Sequence, residues 1–578
     1  MNVPENNYIN NSPYSPWRFE RFIKAGILFF GVVVMFYCVW TLDRGFEITD
    51  EAYYLLLAIH AGTQKLYVSA QHWITGWLWQ ITGSLATFRA AGMFLLVGTS
   101  TLLALGAFSV CRRFGVVEDG FQAKGVVVAG SVVSAMLYAS TINFSPSYNL
   151  LASAGAYAAA GLVLLGSQRL SVAQKHVLYL LAGCAVGAEA LSKASAGAST
   201  LVIMVFWLYV FERSYFHKIC GTVAIAAGVV AFAGIALLTN TTIGDATQAI
   251  EQGMQLFRIV QVEAIDARLI RYVTQFGQYI LATVVDFALP LIFFSIYVKT
   301  RRTIFAKLGL GILVIILSLG GHLLGGWKDG LSFPPPFAIA AMLIMMLVLS
   351  IPVWNNSRNL VALFGGLILL PYSVAMGTGN TLFTQAVVSL APWGTLIGVL
   401  VVARFPEELS KLPIFLVGFC FVATVSLQIV TSGFRPYQLA TPLLKQDSKI
   451  SIANLGVVQV DTETKDFVTD LELAVKTCDL NPRTPFLGLY NIPGVALVLR
   501  VTPLLSPWLN NVAQAEFVLE RIDSDLNQSF VVAINYRNSM DLPSLPFKLN
   551  GFPDNYIYCG AATYPVGSQR IEIWKTKI

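Results

Sequence analysis

AGILFFGVVVMFYCVWTL at residues 25–42, followed at once by DRGFEITDEAYYLLL at residues 43–57, is the stretch that decides the fold. The first part carries no charge and is close to the roughly 20 helical residues needed to cross a hydrocarbon core about 30 Å thick. The second part turns polar and then presents two adjacent carboxylates, Asp50 and Glu51, before becoming apolar again. That is the pattern of a membrane span meeting its boundary. Working outward, further windows of the same kind fall at 86–110, 125–141, 148–166, 176–192, 196–212, 219–239, 277–298, 306–324, 334–353, 359–375, 381–402 and 412–431, which makes thirteen.

The composition agrees. Hydrophobic residues make up 56% of the 578 and charged residues 12%, against about 25% charged in soluble domains. A soluble enzyme, a nucleic-acid binder and a disordered chain are thereby excluded. Residues 1–432 hold 25 Lys and Arg against 18 Asp and Glu, whereas 433–578 hold 13 against 14. The positive excess behind the net charge of +6 therefore belongs to the apolar part, where cytoplasmic loops collect it. With residues 1–24 inside, one face gathers Arg18, Arg21 and Lys24, then Arg112, Arg113 and Lys124, Arg169 and Lys175, and Arg213 and Lys218. Lys299, Arg301, Arg302 and Lys307 follow, with Arg358, Arg404 and Lys411. Thirteen spans satisfy this asymmetry and put the tail outside the cytoplasm. The expected fold is thus an α-helical polytopic membrane protein over 25–432, with an extracytoplasmic C-terminal α/β domain over 433–578. A bacterial-type cytoplasmic membrane is its expected place.

Three segments on the outer side are too long for turns. Residues 43–85 contain a short apolar stretch at 52–61 and Trp73, Trp77 and Trp79 spaced for an interfacial helix. Residues 240–276 repeat apolar side chains at helical spacing, with Arg258, Arg268 and Arg271 between them. Residues 325–336 are rich in glycine and proline and carry Lys328. In the tail, strand-like runs at 450–453, 486–490, 495–501, 530–535, 556–559 and 570–574 alternate with helical stretches at 462–477 and 511–522. Asp461 or Thr462 is a plausible helix cap. Cys478 and Cys559 are the only cysteines there, in an oxidising compartment, so a disulfide between them is open.

Asp50 and Glu51 are the candidate catalytic pair, because a carboxylate at the boundary can take the proton of an acceptor hydroxyl. The plain alternative is a favourable charge at the start of the 51–61 helix. Lys193, alone among small residues in LSKASAG at 191–197, leaves room for a bulky anion, and Lys is a common point-charge partner of phosphate. Its alternative is a snorkelling lysine at a helix end. Tyr53, His72, Arg258, Arg271, Lys328 and Arg435 complete the candidate substrate-binding set. His60, His72 and His322 lie on the outer side without metal-ligand spacing, so no cofactor is firmly expected, although a divalent metal would be compatible with the acids.

These residues resemble the integral-membrane GT-C glycosyltransferases that use polyprenyl-phosphate sugars, in particular the group of protein O-mannosyltransferases and aminoarabinose transferases. The resemblance rests on TDEAYY at 49–54, PSYNLL at 146–151, LSKA at 191–194, and PY at 371–372 leading into GTGN at 377–380. It implies that Asp50 serves as base or acceptor-positioning carboxylate and that Lys193 holds the carrier phosphate. The implied partners are a polyprenyl-phosphate-linked sugar donor and a lipid, glycan or protein acceptor. The chain departs from the family before the fourth span, where Asn143, Ser147 and Asn149 stand in place of an acid. A second carboxylate would then come from Glu51, Glu47 or Asp245. The rival readings are a transporter or lipid flippase, whose ionisable residues would sit mid-span, and a non-catalytic envelope scaffold.

Overall fold

The computed structural model describes residues 16–260, 265–286, 336–354, 357–377, 379–405, 412–522, 529–536, 544–549 and 551–577. Its first part is helical. Helix α1 (Pro16–Thr41) carries the opening apolar stretch, and α2 (Asp50–Ile59) and α3 (Gln71–Thr82) follow it as short helices. Then come α4 (Leu85–Arg113), α5 (Phe121–Met136), α6 (Tyr148–Gly166), α7 (Val172–Ser192), α8 (Ala194–Phe211) and α9 (Tyr215–Asn240). Helices α10 (Ile243–Val260) and α11 (Ile265–Asp286) precede α12 (Pro336–Leu349), α13 (Arg358–Ala375), α14 (Leu382–Val387), α15 (Ala391–Val402) and α16 (Leu412–Ser432). Among the described residues, eight helical stretches are long and apolar enough to cross a membrane: 20–41, 85–113, 121–140, 148–166, 194–211, 215–240, 358–375 and 412–432. The protein is a polytopic helical membrane protein. The count of thirteen stays an expectation, since the window 306–324 and much of 277–298 lie outside the described residues.

Lipid offers apolar side chains no hydrophobic drive to associate, so helices in it pack through small residues that let backbones approach. This chain does so repeatedly. A Cβ on Gly183 of α7 would overlap the Ile225 carbonyl of α9, and one on Gly228 would overlap the Leu180 carbonyl. A Cβ on Gly106 of α4 would stand 2.7 Å from the Gly161 carbonyl of α6. Large buried side chains such as Phe108, Tyr157, Trp207, Trp393 and Phe421 fill the spaces between.

Three local expectations are corrected. The window 381–402 is two helices, broken at 388–390, because Pro392 can open α15 but cannot continue α14 into it. The segment 240–276 is not one surface element, for α11 runs on through 286. Trp73 is buried, together with Tyr67, Ala236 and Ala249, and Trp79 packs on Phe88 at 5.3 Å, so these rings face protein rather than the membrane surface.

The C-terminal part begins with a hairpin of β1 (Ser448–Ile452) and β2 (Gly456–Val460). Helix α17 (Thr462–Thr477) follows, capped by Asp461, whose Oδ1 accepts the Thr464 N–H at 2.9 Å. Strands β3 (Pro485–Leu489), β4 (Thr502–Pro503), β5 (Val531–Tyr536), β6 (Tyr556–Tyr564) and β7 (Gln569–Thr576) form one sheet in the order β4-β3-β5-β7-β6. β3 is parallel to β4 and β5, and the remaining pairs are antiparallel. The strand expected at 495–501 is a helix, α18 (Pro493–Leu499), with α19 (Val512–Glu520) after it. All of α18 is buried, so its run of apolar residues had no polar face by which period 2 and period 3.6 could be told apart. Cys478 and Cys559 are joined by a disulfide, with Cα atoms 5.5 Å apart, which ties the end of α17 to β6.

The tail is not tethered by a linker alone. Gly45 N–H donates to the Gln459 carbonyl at 2.8 Å and Gln459 N–H to the Asp43 carbonyl at 2.7 Å. Gly494 N–H donates to the Ile48 carbonyl at 2.8 Å. One apolar cluster contains Phe46, Ile48, Ala52, Leu55 and Leu56 from the first loop and Phe467, Leu471, Val495, Ile571 and Ile573 from the tail. Helix α2 is therefore the joint between membrane part and tail, and the acidic pair lies at its first turn.

Candidate functional site

Asp50 and Glu51 are neighbours in sequence with different surroundings. Helical geometry turns consecutive side chains about 100° apart, and here that turns Glu51 inward. Glu51 is 1% exposed. Its Oε1 accepts from Arg89 Nε at 2.7 Å and its Oε2 from Arg89 Nη2 at 2.6 Å, and Ser145 Oγ donates to Oε1 as well. Arg89 spends its other protons on the carbonyls of Leu42, Arg44 and Gly45. This ion pair holds the first loop against α4. Glu47 is also buried, and its carboxylate accepts from Thr49 N–H and Oγ and from Glu51 N–H at the start of α2. Burial and the nearby Asp50 push its carboxyl up to about 8, against those donors.

Asp50 faces the other way. Its Oδ2 accepts the Tyr437 hydroxyl at 2.7 Å, from the segment that joins α16 to the tail. Burial raises its carboxyl above the usual range, and the Tyr437 hydrogen bond pulls it back down. Burial, with a smaller contribution from the nearby Asp50 charge, pushes the phenols of Tyr53 and Tyr54 up.

From Asp50 a row of aromatic rings leads across the site. Trp508 of the tail meets Tyr53 at 5.2 Å, Tyr53 meets Tyr54 at 5.3 Å, and Tyr54 meets Tyr148 at 5.9 Å. Lys193 Nζ stands 5.7 Å from the Tyr148 ring centre. Tyr148 thus meets both the Tyr54 ring and the Lys193 ammonium.

Lys193 is the single residue between α7 and α8, in extended conformation, and is 8% exposed. It is no snorkelling side chain. Its Nζ donates to the carbonyls of Val374 and Ala375 at 3.0 and 3.3 Å, at the C-terminal end of α13, where orphan carbonyls and the helix dipole favour a cation. Asn149 Oδ1 is a third, longer partner at 3.5 Å. Ser195 Oγ donates to the Met376 carbonyl at 2.9 Å. Gly377 follows at φ +85°, and a Cβ there would overlap Ser195 Oγ, so glycine is required twice over. Arg271 of α11 reaches the same loop, its Nη1 donating to the Asn380 carbonyl at 3.4 Å. Three stretches distant in sequence, 146–151, 191–194 and 371–380, therefore meet around one ammonium. Below it Glu189 accepts from Thr200 Oγ at 2.8 Å, and Thr200 pairs with Ser373 at 2.8 Å, which braces α7, α8 and α13 together.

The other candidates are placed as follows. Tyr53 lies in the aromatic row. His72 is buried beside Tyr67 at 4.5 Å and Trp73 at 5.8 Å, and burial pushes its imidazole down to about 4. Ser69, three residues earlier, fixes this loop by donating to the Ser192 carbonyl at 2.6 Å. Arg258 is exposed on α10, whose neighbour Gln255 accepts from Arg521 of the tail at 3.1 Å, and no described contact brings it to Asp50 or Lys193. Arg435 is exposed at the junction; Tyr437, two residues on, is the group that reaches Asp50. Lys328 lies outside the described residues. Asp245 binds Thr242 Oγ at 2.7 Å on α10, away from the carboxylate cluster. Asn143, Ser147 and Asn149, which stand where an acid was expected, have other work. Asn143 donates to the Thr41 carbonyl at 2.7 Å, Ser147 caps α6, and Asn149 receives Lys193. Among the described residues no group of three or more His, Cys, Asp or Glu is arranged to hold a metal.

Sequence reasoning missed Tyr437, Tyr148, Arg89 and Trp508. Tyr148 lay inside the quoted PSYNLL at 146–151 and Tyr437 two residues from Arg435; Arg89 and Trp508 gave no local signal.

No family model matches the sequence, and neither does any curated protein. Among solved structures, the chain is similar to ArnT from Cupriavidus metallidurans in its apo state. The identity is 14% and the TM-score 0.40, over 95% of this chain and 97% of that one. It is similar to the same protein bound to undecaprenyl phosphate at 13% identity and a TM-score of 0.39, over 95% and 97%. It is also similar to the Archaeoglobus fulgidus oligosaccharyltransferase in complex with Zn and sulfate, at 12% identity and a TM-score of 0.43, over 88% of this chain and 67% of that one. The side chains described above, not these superpositions, carry the functional argument.

Proposed function

We propose that the protein is a membrane glycosyltransferase that moves a sugar from a polyprenyl-phosphate carrier to an acceptor hydroxyl on the tail side of the membrane, which we take to be the outside. The observation that carries this reading is a buried lysine at one end of an aromatic row whose middle rings, Tyr53 and Tyr54, stand on the same short helix as the carboxylate Asp50. A lipid-linked donor needs a cation at headgroup level, an apolar environment for its tail, and a base beyond the sugar. Lys193 with Arg271, the surrounding helices, and Asp50 supply the three.

In a single displacement the acceptor oxygen bonds to the anomeric carbon as the bond from that carbon to the phosphate oxygen breaks, and the configuration inverts. The acceptor proton passes to Asp50, for which Tyr437 fixes the carboxylate. The negative charge gathers on the departing polyprenyl phosphate, and Lys193 meets it there. Of the three acceptors now holding the ammonium, Asn149 at 3.5 Å is the one that a phosphate oxygen would displace. Fixed cationic stabilisation of this kind is commonly the largest contribution to rate, and a well-placed base adds roughly 10²–10⁴-fold. Glu51 acts here as a positioning residue, through Arg89, rather than as a second base.

The test is binding of undecaprenyl phosphate to the full chain in nanodiscs. Lys193→Met should weaken it by about ten- to a hundredfold, the worth of a hydrogen bond to a charged group. Unchanged affinity would remove Lys193 from the phosphate site.

A further inference from the structure

The aromatic row does not end at α2. Trp508 comes from the loop between β4 and α19, and its ring is half-buried against Tyr53. The indole is not free to turn, because its Nε1 donates to Asn491 Oδ1 at 2.8 Å, while Asn491 N–H is itself held by the Leu509 carbonyl at 2.9 Å. Asn491 keeps this geometry with φ of +58°, a conformation asparagine tolerates better than most residues. A loop folded to hold one tryptophan still, on the helix face three residues from Asp50, places a flat apolar surface where the acceptor must approach. The charge left at this end is that of Asp50. Glu51 is paired with Arg89, burial pushes the Glu47 carboxyl up to about 8, and Arg44 is turned to the Gln446 carbonyl at 2.7 Å and to the Trp40 ring at 4.1 Å. The cations that meet the donor, Lys193 and Arg271, are at the far end. An anionic acceptor would be repelled from Asp50, whereas a neutral ring bearing hydroxyls could lie its C–H face on the indole.

Resting on the glycosyl-transfer reading above, we infer that Trp508 and Tyr53 form the acceptor platform, so that the tail supplies half of the site, and that the acceptor is an uncharged carbohydrate. The experiment uses the full chain in nanodiscs with a polyprenyl-phosphate sugar that it consumes. Release of free polyprenyl phosphate is followed by mass spectrometry as a neutral oligosaccharide, vesicles of phosphatidylglycerol, or a Ser/Thr peptide is added. The oligosaccharide should accelerate release. Trp508→Ala should raise its half-saturating concentration about three- to tenfold, in line with the worth of one aromatic contact, with half-saturation by donor unmoved. Trp508→Phe should recover most of the loss, which separates stacking from folding. Acceleration by the anionic vesicles or the peptide alone, or an unchanged oligosaccharide half-saturation in Trp508→Ala, would overturn this inference and leave the donor reading standing. Failure of the wild-type chain to consume any donor would overturn both.

Discussion

At the scale of single residues, two adjacent acids differ because of what each faces. Asp50 keeps one hydrogen bond, to Tyr437, and is raised by burial. A base must be ionised, so activity should fall as pH drops through a value above the ordinary aspartate pKa of about 3.9. Tyr437→Phe removes the bond that lowers Asp50, so the acid limb of the pH–rate profile should move to still higher pH; a profile identical to wild type would deny Tyr437 its role. Glu51 should behave differently. Glu51→Ala leaves Arg89 buried and uncompensated, and breaking such a pair costs about 3–5 kcal/mol. Thermal unfolding should show that loss, whereas Asp50→Asn should melt like wild type. Asp50-Glu51 stood out in the sequence because carboxylates are rare at a membrane boundary. Their difference did not, since Arg89 lies 38 residues further on and nothing near it marks it as a partner.

At the scale of elements, small residues and one disulfide fix what the apolar spans alone would leave loose. Gly494 lies where α18 meets the first loop, and a Cβ there would stand 2.6 Å from Ile48 Cα. Gly494→Val should therefore push the tail off α2, detected as faster hydrogen exchange over residues 45–59 and 493–499; unchanged exchange would show that the joint is looser than described. Loss of the Cys478–Cys559 bridge should cost about 2–5 kcal/mol, and it should loosen the tail first. Limited proteolysis after mild reduction would show cleavage within 443–577 first. The helix boundaries were legible where a polar cap precedes the helix, as at 148–166 and 462–477. They were not legible where every face is buried, as at 493–499, or where a proline interrupts an otherwise apolar window, as at 381–402.

At the scale of the whole molecule, the site is an assembly of parts far apart in the chain: α2, the start of α6, the α7–α8 junction, the end of α13, and two segments from the tail. The first four were visible as motifs, the first three because each puts a polar residue among apolar or small ones and the fourth through its glycine-rich loop at 377–380. Tyr437 and Trp508 were hidden, because nothing in a sequence tells which tail loop will dock on which helix. Donor turnover should depend on Asp50, and the most direct measurement of this uses the purified full chain in nanodiscs, a panel of polyprenyl-phosphate sugars and an envelope extract as acceptor source. Mass spectrometry would follow the loss of each donor and the release of free polyprenyl phosphate, with Asp50→Asn in parallel. The expected result is consumption of one donor by the wild-type chain and a fall of about 10²-fold or more in the variant. Equal turnover by Asp50→Asn, or no donor consumed by a folded wild-type chain supplied with the extract, would contradict it.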